Sequence, residues 1–206
     1  MPGNQIKESS RVYLRIVGGN IVQTVPEGTE GSRRRDYELK DGTKGSKNEL
    51  VFSNWEAVIN NITVRDGEYG EECIIEFEDA QLTIPTSSRY FQDFACKIFN
   101  VDFKKPVKLH PYDIEVDNGR KTGISVQQDG IKLTSFFYDF EKKTKLNGFP
   151  EVDESKKDKK TYWKIYFLEV TEFLIEKIKT LKFENKKETK KITNINVEEE
   201  FLDLPF

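Results

Sequence analysis

The sequence predicts a mainly β protein with flanking helices, built as a small barrel with additional strands and a C-terminal helix. Three observations carry that prediction. Short runs that alternate polar and apolar, or are rich in β-branched residues, recur through the first two-thirds of the chain. Turn sequences of hairpin type, such as Asp66-Gly67 and Asp117-Asn118-Gly119, join several of them. Apolar residues take helical spacing in two stretches, 87–99 and 163–181.

Each element follows in order. Residues 11–17 alternate polar and apolar and stop at Gly18-Gly19. Residues 21–25 form a second short strand, closed by Pro26. Residues 27–48 are rich in Gly, Ser and charge, and predict a long mobile loop with a short strand at 37–39. Residues 55–65 read as one strand, turn at 66–70 and return through 72–78 as a hairpin. A shorter strand follows at 81–84. Phe91, Phe94, Ala95, Ile98 and Phe99 then recur at helical spacing, with Ser87 or Ser88 as N-cap. Strands at 107–116, 120–127 and 131–138 follow, the last two joined at Gln128-Asp129-Gly130. Residues 139–160 read as a charged loop. Trp163, Phe167, Val170, Leu174, Ile178 and Leu181 predict an amphipathic helix, although 162–167 also fits a strand. Strand, strand, hairpin, helix and further strands fit a five-stranded barrel of OB-fold type with additions. The domain is expected over 1–181, a polar linker over 182–196 and an acidic tip over 197–206.

Bulk properties bound the function loosely. A chain of 206 residues buries a sound core, and a charged fraction of 33% keeps it in water. No apolar run is long enough to cross a bilayer, and the first residues lack a signal core, so a cytoplasmic location is expected. Two cysteines, Cys73 and Cys96, make no disulfide framework. The formal net charge is -3. Residues 197–206 hold four acidic residues and no basic one, so residues 1–196 carry 33 basic against 32 acidic. Any anion-binding face must therefore come from local clustering.

The last ten residues are the most distinctive. Glu198, Glu199, Glu200 and Asp203 supply charge, and Phe201, Leu202, Leu204 and Phe206 supply apolar surface. Pro205 stiffens the backbone before Phe206. A partner with an apolar pocket and a basic rim suits such a peptide. Asp203-Leu204-Pro205-Phe206, behind an acidic stretch, resembles the C-terminal tip of bacterial and bacteriophage single-stranded DNA-binding proteins, with Leu202 and Leu204 making this tip more apolar. The stretches Glu68-Tyr69-Gly70, Ser87-Ser88-Arg89-Tyr90, Val101-Asp102-Phe103 and Val126-Gln127-Gln128-Asp129-Gly130 also resemble replication-associated single-strand binders of tailed phages. The resemblance implies a non-enzymatic protein without cofactor or metal. It would coat single-stranded DNA in replication, recombination or repair, within the bacterial host cytoplasm if phage-encoded. The tip would recruit a polymerase, helicase, primase or nuclease, no membrane is involved, and a homo-oligomer is compatible.

Single-strand binding needs rings to stack on bases and cations to follow phosphates. Alternation places Arg11, Tyr13 and Arg15 on one strand face. Arg33, Arg34 and Arg35 sit in the expected loop beside Tyr37, and Lys40, Lys44, Lys47, Phe52 and Trp55 follow. Arg65 and Tyr69 flank the hairpin turn, Arg89 and Tyr90 open the first helix, and Lys104, Lys105 and Lys108 form a later basic patch. Phe52 and Phe77 read as interior, Trp55 fits either role, and Tyr13 and Tyr69 suit a wet rim. Two other readings stand beside this one. The first is a β-barrel adaptor that binds protein alone. The second is a Mg²⁺-dependent nuclease using Asp113, Glu115 and Asp117 on one strand face. The single histidine, His110, builds neither a triad nor a metal site.

Overall fold

The computed structural model describes residues 11–38, 41–68, 70–117 and 119–183. In chain order the elements are β1 (Val12–Val17), β2 (Asn20–Val25), β3 (Arg33–Glu38), β4 (Lys44–Phe52), β5 (Trp55–Ala57), β6 (Asn61–Gly67), β7 (Gly70–Glu76) and β8 (Ala80–Pro85). Helix α1 (Arg89–Lys97) follows, then β9 (Val107–Val116), β10 (Gly119–Gln128), β11 (Ile131–Lys132), β12 (Tyr138–Asp139), β13 (Thr144–Lys145) and helix α2 (Lys160–Lys179). Seven strands form one sheet in the order β3-β4-β2-β1-β8-β7-β6, and four form a second in the order β11-β10-β9-β5. Within the large sheet β1 and β8 run parallel and the other neighbours antiparallel.

Period-two alternation decides what each side of the large sheet meets. Leu14, Ile21, Ile62, Cys73, Ile75, Leu82 and Ile84 point into the interior. Val107, Leu109, Ile124 and Val126 meet them from the second sheet. Helix α1 adds Phe91, Phe94 and Ala95, Ile98 follows just after its end, and α2 adds Val170, Leu174 and Ile178. Each buried Leu, Ile or Phe contributes about 1.5–3 kcal/mol relative to exposure.

Ser88 starts α1 as expected, its hydroxyl accepting from the Phe91 amide at 3.2 Å. A polar clamp then fixes the helix on β10. The Asp93 carboxylate accepts from the Ile124 amide at 2.8 Å and from the Tyr112 hydroxyl at 3.2 Å. Lys97 pairs with Asp93 at 2.6 Å and donates to the Ile124 carbonyl at 2.7 Å. Gly123 makes the approach possible, because a Cβ there would collide with the Asp93 carboxylate and the Tyr112 hydroxyl.

Several expectations are corrected. The mobile loop expected over 27–48 holds two strands instead, for Arg33–Glu38 and Lys44–Phe52 pair antiparallel. Their charges hid the strand: β3 is an edge strand, where charge is tolerated on both sides. Residues 55–65 are two strands in different sheets, broken at Val58-Ile59-Asn60. The expected strand at 131–138 shrinks to Ile131–Lys132, and Phe137 is drawn into the core instead. Residues 162–167 are helical. The expected linker start at Lys182 is still in contact with the domain, since Phe183 meets Phe103 edge-on at 4.8 Å. The strands form open sheets among the described residues, and the five-stranded barrel is not seen there. No helix among the described residues is long and apolar enough to cross a membrane.

Two predictions follow from this packing. Gly123→Ala must push Asp93 or Tyr112 aside, so stability falls by about 1–3 kcal/mol, read as a lower urea midpoint. An unchanged midpoint would show that the clamp is slack. Burial pushes the Cys73 thiol up to about 12 and the Cys96 thiol up to about 11, and both are free. The reactive thiolate is then populated only well above neutral pH. A thiol reagent at neutral pH should label neither cysteine until the chain is unfolded. Rapid labelling of folded Cys96 would contradict this.

Candidate functional site

The side of the large sheet that faces away from the helices gathers many of the residues singled out above. Cross-strand partners share a sheet face, so the register traces it. Arg15 lies opposite Val22, and on its other flank opposite Thr83. Thr24 lies opposite Glu49, Glu49 opposite Arg33, Lys47 opposite Arg35 and Gly45 opposite Tyr37. Tyr13 lies opposite Gln81 on the same face. Toward the other edge Thr83 faces Ile74, Ile74 faces Thr63, and Arg65 faces Glu72.

This face is curled. A cleft of about 390 Å³ is lined by Arg35 of β3, Lys47 and Glu49 of β4, Thr24 of β2, Arg15 of β1 and Glu72 of β7, among others. Strands are spaced about 4.8 Å apart, so a flat sheet would hold β3 and β7 too far apart to share one cleft. The curl also explains why Glu49, on the polar face, is only 1% exposed. A second depression of about 370 Å³ adjoins it and holds Arg11, Tyr13, Arg15, Thr24 and Lys47.

The electrostatics are graded across the face. Glu49 is gripped by Arg35 in a forked pair, with contacts of 2.7 and 2.9 Å. Hydrogen bonding to Glu49 raises the Arg35 pKa further, so this guanidinium stays charged but is already neutralised. Arg11 pairs with Glu76 at 3.0 Å. Arg15, Arg33, Lys47 and Arg65 have no acidic partner among the described residues. Glu71 and Glu72 line the far end of the cleft, so cationic character concentrates on β1, β3 and β4.

Two rings lie on this face in different states. Tyr13 is 64% exposed. Tyr37 lies across Gly45, where a Cβ would come within 2.5 Å of the ring. The Lys47 ammonium sits 5.3 Å from the Tyr37 centroid and the Arg35 guanidinium 5.9 Å. One ring is bare, and the other is seated on a glycine with cations beside it.

The remaining candidates lie elsewhere. Arg34 alternates to the other side of β3 and pairs with Asp36 at 3.2 Å. Trp55 belongs to the second sheet and packs on Phe52 and Phe77, at 5.5 and 6.4 Å, half-buried against the core. The Arg89 guanidinium sits over Phe167 of α2 at 5.0 Å. The Tyr90 hydroxyl accepts from the Gly19 amide at 2.9 Å, tying α1 to the β1–β2 turn. Lys105 pairs with Asp129 at 2.7 Å, and the Lys104 amide caps Asp102 at 3.0 Å, both before β9. Asp113 is held by Arg120 and by the Thr122 hydroxyl, which keeps its carboxylate below the usual range. Among the described residues no group of three His, Cys, Asp or Glu stands close enough to hold a metal ion. Tyr69, and Glu198, Glu199, Glu200, Phe201, Asp203, Leu204, Pro205 and Phe206 of the tip, lie outside the described residues.

Sequence reasoning missed Glu49 as the counter-charge to Arg35, and the hydroxyls of Thr24, Thr83 and Ser87 in the cleft. Pairing 33–38 with 44–52 as a hairpin would have found Glu49. Comparison with protein-family models, curated proteins and solved structures gives no match to this chain.

Glu49→Gln tests the balance of this face. It leaves Arg35 without its anion, so stability falls by about 1–3 kcal/mol in denaturant titration. It also frees one cation, so affinity for a polyanion such as heparin should rise, read by elution at higher salt. Earlier elution would show that Arg35 does not face the ligand.

Proposed function

We propose that this chain binds single-stranded DNA along the polar face of the large sheet, across β1, β2, β4 and β3. The observation that carries the reading is the shared register of Tyr13, Arg15, Arg33, Lys47 and Tyr37 on one curled face that the helices leave uncovered. Tyr13 offers a bare ring for base stacking. Arg15, Arg33 and Lys47 offer charge to phosphates on either side of it. Stacking and phosphate pairing of this kind carry little sequence preference.

The expected OB-type barrel is not required for this. A curled open sheet presents the same combination of ring and cation on a concave side, and the open face of an OB barrel works in the same way. The acidic tip, residues 197–206, then recruits replication, recombination or repair enzymes through its apolar end. The chain acts as a binder and not as an enzyme. The nuclease alternative loses support from Asp113, whose oxygens are engaged by Arg120 and Thr122.

The test is a titration of labelled oligo-dT by fluorescence anisotropy at several salt concentrations. Log affinity should fall with log salt at about 0.7 per phosphate contacted. Tyr13→Ala should cost about 1–3 kcal/mol with little change in salt slope. Arg15→Ala should reduce both affinity and slope, the latter by about 0.7. Trp55→Phe should leave affinity unchanged. Ending the chain at residue 196 should leave or raise DNA affinity while abolishing partner capture. A flat salt response, or indifference to both Tyr13→Ala and Arg15→Ala, would refute the reading.

A further inference from the structure

Helix α2 is apolar on two sides. Its inner side buries Tyr166, Val170, Leu174, Ile175 and Ile178. Its outer side exposes Ile165 and Leu168, at 65% and 63% of their surface. Ile165 and Leu168 are three residues apart, so they stand together on the helix surface. A helix apolar all round is normally covered all round. The charges on either side of the pair are not random. Lys160 and Lys164 precede it, and Glu169 and Glu172 follow it, all exposed, while Glu176 beyond them is already paired with Lys179 at 2.8 Å. Lys160, Lys164, Glu169 and Glu172 have no ion-pair partner among the described residues.

That order is self-complementary. If a second α2 is laid antiparallel on the first about a two-fold axis near Leu168, the basic half of each helix meets the acidic half of the other. Ile165 and Leu168 of both copies meet at the centre. An isologous contact of this kind needs one patch that complements itself under the two-fold, and this stripe does so. The same stripe laid parallel would set lysine on lysine and glutamate on glutamate, so the charges also select the orientation. We propose that the chain forms a two-fold dimer through the outer face of α2, with Ile165 and Leu168 at its centre and the flanking charges fixing the antiparallel register. This surface lies on a different element from the sheet face discussed above, so the two can act together and fail separately.

The experiment is sedimentation equilibrium on the full chain, without DNA, over a range of concentration. The mass should approach twice the chain's 24.0 kDa. Leu168→Glu should raise the dissociation constant at least about tenfold. Reversing the basic half (Lys160→Glu with Lys164→Glu) should also drive the chain to monomer, as should reversing the acidic half (Glu169→Lys with Glu172→Lys). Mixing those two charge-reversed chains should restore a dimer containing one of each. All of these positions are exposed, so helical circular dichroism should be unchanged. If Leu168→Glu loses that signal, the charge-reversed mixture decides the matter alone. A wild-type chain that stays monomeric overturns the proposal, and would leave the face to another occupant such as residues 184–206. A dimer indifferent to Leu168→Glu and to both reversals overturns it equally, since association would then use another surface.

Discussion

The seating of α1 on β10 is the constraint on which the rest depends. Phe91, Phe94, Ala95 and Ile98 supply the area, but apolar contact alone does not fix the rotation or height of a helix. The Asp93 carboxylate does so, because it must be satisfied and, among the described residues, the Ile124 amide, the Tyr112 hydroxyl and Lys97 satisfy it. Once α1 is placed, α2 packs against it through the Gln92 to Thr171 hydrogen bond of 3.1 Å and the apolar residues beside it. One side of the large sheet is then sealed. The other side buries Val22 and Ile74 apart from the main core, and leaves its other residues largely free to be charged.

That freedom is used unevenly. Glu49 is drawn into the curl and answered by Arg35, a geometry that needs both partners to be tolerable. The edge strand β3 carries Arg33, Arg34, Arg35 and Asp36, which discourages pairing with another chain's edge. Tyr37 returns to the surface of the sheet by lying over Gly45, where a missing side chain leaves room for a ring. Stability and binding chemistry therefore draw on the same residues. The Arg35–Glu49 pair props the curl at the cost of one free cation, while Arg15, Arg33 and Lys47 stay unspent.

The elements that sequence revealed are those with a clean period. β1, the β6–β7 and β9–β10 hairpins and both helices announce themselves through alternation, turn residues or three-to-four spacing. The Arg11, Tyr13 and Arg15 trio was readable for the same reason. The β3–β4 hairpin was not, because its alternation is charge against charge, and hydropathy cannot see that. The split between β5 and β6 was hidden by apolar residues on both sides of the break, since a crossing between two sheets stays in the core throughout. Trp55 illustrates the limit most directly. An aromatic beside a lysine-rich stretch is equally a platform or a core residue until its neighbours, here Phe52 and Phe77, are known. The outer face of α2 was expected to be polar; Ile165 and Leu168 show that helical spacing locates one apolar stripe without excluding another.

A net charge of -3 is no argument against a polyanion on the β1–β4 face. Charge summed over the surface matters at distances where salt has already screened it, beyond about 8–10 Å at physiological ionic strength. Within that radius a phosphate over the second depression meets Arg15 and Lys47, with Arg11 already matched to Glu76. A phosphate at the β7 end would meet Glu71 and Glu72 instead. The same near-neutral total therefore hides a gradient of charge along the cleft. A uniformly basic protein would hold any anion anywhere; under the proposed reading this arrangement favours one path, across β1, β2, β4 and β3, and the exposed ring of Tyr13 lies on it.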